Sequence, residues 1–139
     1  MPSGVNGMLA DANCEGQLAL LLRLFQQTWR QEVWEFLSLA VISFADVGLL
    51  PYASDHEVWS VCQREQVVPV TANRNDEGPE SLEATIRYRN TLASLPAFTL
   101  ANDQRVLRDR PYAERVADRL LEGLFDIDSY RGTGRIYLP

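Results

Sequence analysis

Four short, largely apolar runs constrain the fold of this chain more than any other feature of its sequence. They span residues 5–10, 39–44, 67–70 and 97–101, and a further run of four residues lies at 136–139. Because the runs are continuous rather than alternating in polarity, they indicate strands that are covered on both faces. Segments with helix signals separate them. This alternation predicts an α/β fold, a three-layer α/β/α sandwich around a mostly parallel sheet of four to five strands.

The segments between the runs carry two kinds of helix signal, apolar periodicity and N-terminal capping. Ser54, with Glu57 three residues later, has the signature of a capping box. Trp29, Trp34 and Trp59 lie at helical positions, so we expect them in the core. Five helices are predicted. The first opens near Glu15, and the others cover Trp29–Phe36, Ser54–Glu65, Glu80–Asn90 and Tyr112–Phe125.

Length and composition fit one domain over residues 1–139 and exclude several functions. The chain has 139 residues and a formal net charge of −6, so a general electrostatic grip on nucleic acid is not expected. All 13 basic residues are arginine. The absence of lysine excludes a Walker A loop, whose lysine reaches the nucleotide phosphates, and it excludes phosphoaspartate folds that depend on a lysine.

Targeting signals and cysteine usage predict a cytoplasmic protein. No apolar stretch reaches the roughly 18 residues that span a bilayer, so no membrane partner is expected. The N-terminus has no basic n-region and no apolar h-region, which argues against a secretory signal. Cys14 and Cys62 stand far apart without CxxC spacing, and we expect both as reduced core residues.

Asp or Asn follows each of the four apolar runs within a few residues. In an open parallel sheet, ligands bind outside the carboxyl ends of the strands, so these side chains are expected at one edge. Oxygen ligands without His or Cys suit Mg²⁺ or Mn²⁺, and such a cation would offset the repulsion among clustered carboxylates. The residues are Asp11, Asp46, Asn73, and Asn102 with Asp103, joined by Asp55 in the first turn of the helix before the third run.

Structural explanations compete with the metal site at several of these positions. Asp and Asn often end strands and cap helices, which is the better interpretation of Asp46 and Asn102. Asp55 could be a first-turn residue that the helix dipole favours and nothing more. Arg74 is either a phosphate contact or a solvated loop charge. Arg105 opens an arginine-rich stretch, RVLRDRPYAER, that is either a phosphate- or partner-facing surface or a solvated helix entrance.

Four motifs in order resemble those of PIN-like domains, specifically the short stand-alone kind related to toxin ribonucleases of toxin–antitoxin pairs. A first strand ends in an acid within LADANCEGQL, and a second leads to a D-x-G-L loop within ADVGL. ASDHEVWSVCQRE then opens a helix, and VVPVTANRND gives a strand followed by the last polar motif. The resemblance covers roughly residues 5–78 in register, and the remainder of the chain fits by element order alone.

The resemblance implies a Mg²⁺- or Mn²⁺-dependent endoribonuclease that hydrolyses RNA phosphodiester bonds. Asp11 would be the first metal ligand and Asp55 the acid on the helix. Asn73 would occupy the third acidic position, and Asn75, with Asp76 beside it, the fourth. Asp11, Asp55, Asn73 and Asp76 would form the catalytic group, and Arg74 and Arg105 are candidates for the substrate phosphate. The resemblance also implies an antitoxin-like partner and a homodimer, although the sequence shows no exposed apolar stripe to support a dimer.

The chain departs from the family pattern at the decisive positions. Asn73 and Asn75 stand where acids are expected, and an amide oxygen can coordinate a metal without bringing charge. Since metal affinity follows the charge count of the ligands, these amides should weaken binding. Asp76 or Asp103 could compensate. Two hypotheses therefore stay open: a weakly active metal-dependent nuclease, and a PIN-like fold without nuclease activity that serves as a binding or assembly module.

Overall fold

Five parallel strands form one sheet in the computed structural model, which describes residues 4–72 and 81–139. The strand order is β2-β1-β3-β4-β5, and every neighbouring pair is parallel. The predicted α/β architecture with a parallel sheet is therefore confirmed. The strands are Gly7–Ala10 (β1), Ala40–Ile42 (β2), Val67–Thr71 (β3), Ala97–Leu100 (β4) and Arg135–Leu138 (β5).

Helices cover both faces of this sheet. Among the described residues, no helix is both long enough and apolar enough to cross a membrane. The helices are Glu15–Phe25 (α1), Arg30–Leu37 (α2), Asp55–Glu65 (α3), Leu82–Arg89 (α4), Asp103–Arg108 (α5), Arg110–Phe125 (α6) and Ile127–Tyr130 (α7), with short 3-10 turns at Ala12–Cys14 and Ala45–Val47.

Alternate strand residues point into two separate cores, because successive side chains of a strand face opposite sides of the sheet. Met8 and Val68 belong to the larger core, which also contains the buried faces of α1 and α6. Leu9 and Val67 belong to a smaller core with Val58 of α3. The three layers predicted from the continuous apolar runs follow from this arrangement.

The strand β2 differs from its prediction as a buried strand. Ala40 and Val41 are exposed, because β2 is the edge of the sheet and pairs only with β1. The two strands approach closely at Gly7, where an added Cβ would clash with the carbonyl oxygen of Ala40. A glycine is therefore required at the point where β1 meets this edge.

Pro69 lies in β3, a central strand, although a proline lacks the N–H that a ladder needs. The residue pairs with Leu9 of β1 in the register of the sheet. On the other side, the pairing of β3 with β4 begins only at Val70, opposite Phe98. The proline is thus the last residue of the part of β3, residues 67–69, that does not pair with β4.

Candidate functional site

Asp11 and Asp55 line the same small cavity at the carboxyl edge of the sheet. The cavity has a volume of about 20 Å³, which is room for a single water-sized species. Its polar lining among the described residues comes from these two carboxylates, the hydroxyl of Thr71 and the indole of Trp59. The apolar remainder consists of Leu9, Val58, Pro69, Val70 and Leu82.

Asp11 follows β1 directly and is held there by one backbone hydrogen bond to β3 and by two hydrogen bonds to its side chain. Its own N–H donates to the carbonyl of Val70 over 2.9 Å, which extends the pairing of β1 with β3. Its Oδ1 accepts from the N–H of Ala12 at 2.8 Å, and its Oδ2 accepts from the hydroxyl of Thr71 at 3.2 Å. The side chain is therefore fixed by neighbours on both strands and can rotate little.

Burial raises the pKa of Asp11 above its ordinary value of 3.8. The hydrogen bonds from Ala12 and Thr71 lower the pKa, and the nearby charges of Asp55 and Glu15 raise it. The net direction is upward, so the charged form of Asp11 is less favourable in this cavity than in water. A carboxylate in this situation gains from a cation that neutralises it.

Asp55 is the first residue of α3 and owes its position to a capping box. The hydroxyl of Ser54 accepts from the N–H of Glu57 at 3.1 Å, and the Glu57 carboxylate accepts from the N–H of Ser54 at 3.2 Å. The capping box predicted from Ser54 and Glu57 is thus confirmed. Oδ2 of Asp55 also accepts from the N–H of Leu82 at 3.2 Å, which ties the start of α3 to the start of α4.

Trp59 also lines this cavity. The residue lies one helical turn after Asp55, and its side chain is 6% exposed. Its indole N–H is buried without an acceptor among residues 4–72 and 81–139. A buried donor without a partner is unusual in folded proteins, so this N–H requires an oxygen acceptor. Water or an oxyanion would satisfy it.

Two further acids lie close to this edge, as their effects on Cys14 show. The pKa of Cys14 is raised to about 12, mainly by burial and also by the charges of Asp11, Asp103 and Glu15. Asp103 belongs to the first turn of α5, directly after β4, and Glu15 to the first turn of α1. The carboxyl ends of β1 and β4 therefore both deliver acids to this side of the sheet.

Asp46 and Asn102 have structural roles, as the turn and cap interpretation predicted. Asp46 accepts from the N–H of Ser43 at 2.9 Å, is exposed, and its pKa is lowered by this bond. The side chain of Asn102 caps α5 by accepting from the N–H of Arg105 at 3.1 Å. Neither residue lines the cavity of Asp11 and Asp55.

The remaining predicted site residues fall into two groups, four on the segment after β3 and one on α5. Asn73, Arg74, Asn75 and Asp76 lie outside the described residues, so the predictions for them are unchanged. Arg105 belongs to α5, where its guanidinium pairs with Asp109 at 3.0 Å and lies 4.4 Å from the centre of the Tyr112 ring. It does not line the cavity.

Three contributors to the cavity were missed by the sequence argument: Thr71, Trp59 and the N–H of Leu82. Thr71 comes immediately after VVPV, at the carboxyl end of a predicted strand. Residues at such strand ends line ligand sites, so this position could have indicated Thr71. Trp59 was expected as a core residue, and its burial is confirmed, but nothing in the sequence shows that its N–H lacks a partner. The Leu82 contact joins residues 27 apart and has no local signature.

The two cysteines are buried free thiols in separate cores. Cys14 donates to the carbonyl of Val70 at 3.2 Å, beside the N–H of Asp11. Burial raises the pKa of Cys62 to about 12 as well. Both thiols are therefore neutral at physiological pH and serve as small packing residues.

The chemistry of the donors fits a small divalent cation, although the described residues do not complete a site. Among residues 4–72 and 81–139, no three His, Cys, Asp or Glu side chains are grouped to hold a metal. Mg²⁺, however, is commonly held by one or two carboxylates while it keeps several waters. Asp11 and Asp55 meet that requirement, and the raised pKa of Asp11 gives a reason for a cation to bind.

Comparison of the chain with protein-family models, curated proteins and solved structures found no match.

Proposed function

We propose that this chain is a PIN-like, Mg²⁺- or Mn²⁺-dependent endoribonuclease whose metal site is weakened by amides. One observation carries the proposal: Asp11 and Asp55 come from separate elements and line one cavity at the carboxyl edge of a parallel sheet. That edge is where open α/β sheets bind ligands. The sequence motifs that resemble PIN-like domains assign metal-binding roles to the same two residues.

Asp11 and Asp55 would hold the cation, with Asn73, Asn75 and Asp76 as further oxygen ligands. When bound, a divalent cation would supply an activated water and offset the charge that develops on the leaving oxygen. Amides at two positions lower the negative charge of the ligand set. We therefore expect weaker metal binding and slower hydrolysis than a fully acidic site would give.

The protein's own groups prepare this site before any ligand arrives. The N–H of Ala12 and the hydroxyl of Thr71 each bind one oxygen of Asp11, so both oxygens keep a fixed direction. The N–H of Leu82 does the same for Oδ2 of Asp55. The indole N–H of Trp59 is available to a phosphate oxygen or to a water. Such preorganised donors and acceptors are what electrostatic catalysis requires.

A binding or assembly module without nuclease activity is the second candidate function. The observation that favours it is the pair of asparagines at positions 73 and 75, where the family resemblance expects acids. The net charge of −6 also opposes the approach of RNA. Under this hypothesis the fold persists, Asp11 and Asp55 remain as structural acids, and the chain acts through a surface.

Metal titration and RNA cleavage separate the two candidates. The melting temperature of the wild-type chain would be followed against Mn²⁺ or Mg²⁺ up to about 10 mM, because a ligand that binds only the native state stabilises it. Asp11→Asn should abolish the shift. Asp46→Asn is the matched control, since Asp46 also follows a strand but lies outside the cavity. Cleavage of a fluorogenic RNA hairpin would be measured in the same buffers.

Asn73→Asp tests the same proposal in the direction of gain. The change restores a charge to the third expected position and should tighten Mn²⁺ binding by about tenfold and raise RNA cleavage. A metal-dependent stabilisation without cleavage, even in Asn73→Asp, would favour the binding module. No stabilisation by either metal in the wild type or in Asn73→Asp would refute the nuclease.

A further inference from the structure

An apolar groove of about 670 Å³ lies between α2 and α6, on the helical layer that also contains α1. The side chains of Trp29 and Val33 form one wall, and those of Leu121 and Phe125 form the other. Each pair is spaced i, i+4, so the two walls follow the surfaces of two packed helices. The cavity of Asp11 and Asp55 shares no lining residue with this groove.

Three aromatic side chains at the groove are unusually exposed. Trp29, Phe36 and Phe125 are 56%, 54% and 59% exposed. Phe36 and Phe125 are in contact, with ring centres 5.8 Å apart, so they extend the groove along α2. Trp29 was predicted as a core residue, and this prediction is wrong. The expectation that no exposed apolar stripe exists is wrong for the same reason.

The cause lies in α2, which has two apolar faces where a surface helix normally has one. Leu37 is fully buried, and Trp34 packs against Phe25 of α1 with ring centres 5.1 Å apart. That face joins the core. Trp29 and Phe36, spaced i and i+7, form the second, exposed face, and Val33 between them also packs against the core. An exposed apolar patch of this kind on a folded domain is typical of an interaction site.

The rim of the groove is acidic. Asp118, Glu122 and Asp126 line it at i, i+4 and i+8, and no basic residue among those the structure describes lines it. Arg30 neutralises Asp118 through a 2.6 Å contact from its Nε. Glu122 and Asp126 have no such cation partner among the described ion pairs. The rim therefore presents negative charge on one side of an aromatic surface.

This charge determines which occupant fits. A second copy placed by a two-fold axis would bring a second acidic rim into the same interface, and no basic residue among the described lining residues would offset it. Nucleic acid and an anionic lipid surface would be repelled by Glu122 and Asp126. A basic segment with apolar side chains on one face would satisfy both the aromatic walls and the acidic rim.

We propose that the groove between α2 and α6 docks a basic amphipathic helix of a partner protein. Its apolar side chains, at i, i+3 or i+4 and i+7, would lie between Trp29 and Phe125, as amphipathic helices do in apolar grooves. Its Arg or Lys side chains would face Glu122 and Asp126. The inference is independent of the metal site and holds whether or not the chain cleaves RNA.

The test uses the full chain and a synthetic helical peptide of about 18 residues, with Leu at helical a/d spacing and Arg on the flanking positions. A second peptide keeps every Leu and carries Glu on the flanks. Calorimetry gives the affinities, and the indole N–H resonance of Trp29 gives the location, with that of Trp59 as an internal reference on the opposite side of the sheet. We expect the basic peptide to bind at least tenfold more tightly than the acidic peptide, and to shift the Trp29 resonance alone.

Variants separate the aromatic and the acidic contributions. Phe125→Ala should weaken binding of the basic peptide about tenfold or more, because aromatic anchors dominate such interfaces. Glu122→Arg should weaken it several-fold and remove most of its dependence on NaCl between about 50 and 500 mM. Tyr88→Ala and Glu65→Gln are the matched controls, since both residues are exposed and lie outside the groove. Circular dichroism would establish that each variant is folded.

Three results would overturn the proposal. The first is no binding of the basic peptide at about 1 mM, the weak end of specific recognition. The second is equal binding by wild type, Phe125→Ala and Glu122→Arg, which would place the peptide elsewhere. The third is a dimeric mass in analytical ultracentrifugation that Phe125→Glu converts to a monomer, which would make a second copy the occupant.

Discussion

The hydroxyl of Thr71 donates a hydrogen bond of 3.2 Å to Oδ2 of Asp11 and so joins the carboxyl ends of the adjacent strands β3 and β1. Asp11 is one of the two acids of the proposed metal site, and burial raises its pKa. The hydroxyl lowers that pKa, because it binds the charged form. The hydrogen bond from Thr71 therefore stabilises the charged form of Asp11 in a cavity whose burial favours the neutral form.

Thr71→Val should raise the pKa of Asp11 further and lower the free energy of unfolding at pH 7 by about 1.5–3 kcal/mol, the usual loss of a hydrogen bond to a charged group. The loss should shrink as the pH falls below the pKa of Asp11, where the carboxyl is neutral in the folded state. Thr71→Ser, which keeps the hydroxyl, is the control. Chemical denaturation at several pH values measures the effect, and a loss independent of pH would contradict the role assigned to the bond.

Asp11→Asn should stabilise the metal-free protein at neutral pH. The folded-state pKa of Asp11 is raised above its unfolded value, so the folded protein holds this proton more tightly. Stability from this group is thus present below the unfolded value of 3.8 and is lost as the pH rises through the folded pKa. Asparagine removes that loss, keeps one oxygen for the N–H of Ala12, and places an amide N–H where the hydroxyl of Thr71 can accept it.

We expect Asp11→Asn to raise the melting temperature in EDTA by roughly 3 °C at pH 7, and by nothing near pH 3. Saturating Mn²⁺ should reverse the order, because only the wild type would gain from the cation. A lower melting temperature for Asp11→Asn in EDTA at neutral pH would show that the charge of Asp11 stabilises the fold. The burial argument would then fail.

Local signals explain what the sequence predicted well. The start of α3 was predicted from Ser54 and Glu57, and both hydrogen bonds of the capping box are present. The end of α6 at Phe125 and the strand β4 also agree with their predictions to within a residue. Each of these signals is carried by residues a few positions apart, so the chain near them suffices to specify the structure.

Long-range contacts determine the structural features that the sequence did not predict. The exposure of Trp29 depends on which face of α2 packs on α6. The helical spacing of the apolar residues does not determine which face is buried. The bond between Asp55 and the N–H of Leu82 joins two helix starts that are close only in the folded chain. The edge position of β2 follows from the strand order, which the apolar runs do not encode. The strand-end rule placed Asp11 correctly but did not separate it from Asp46, whose side chain binds Ser43 instead.

Gly123→Ala should destabilise the protein although alanine favours helices. An added Cβ at Gly123 of α6 would lie 2.6 Å and 2.8 Å from two ring atoms of Phe98 in β4. Phe98 is fully buried, so the ring cannot move aside without cost. Alanine gains about 1 kcal/mol of helix propensity, whereas overpacking of a core costs about 1–3 kcal/mol.

We therefore expect a net loss of about 1 kcal/mol in the free energy of unfolding, measured by urea denaturation. Gly16→Ala is the matched control, because Gly16 lies in helix α1 and an added Cβ there meets nothing within 4 Å. That variant should be more stable than the wild type. Stabilisation by both changes would mean that α6 can shift away from β4.

Arg30 and Asp118 should show a coupling energy of about 1 kcal/mol, since their contact is a forked one. Nε and Nη2 of Arg30 reach the two oxygens of Asp118 at 2.6 Å and 3.4 Å, and Nη2 lies 3.4 Å from Glu114. The arginine side chain is 8% exposed, whereas that of Asp118 is 43% exposed. Water can therefore hydrate Asp118 when Arg30 is replaced, so the cost stays below that of a fully buried pair.

Arg30→Lys keeps the charge but loses the planar fork, and it should cost nearly as much as Arg30→Met, about 1–2 kcal/mol. A double-mutant cycle with Asp118→Asn measures the coupling, and urea denaturation of the four proteins supplies the free energies. If Arg30→Lys matches the wild type, the contact is a simple charge attraction. Additive losses in the cycle would instead assign the effect of Arg30 to its packing against Trp29, whose ring centre lies 5.3 Å from the guanidinium carbon.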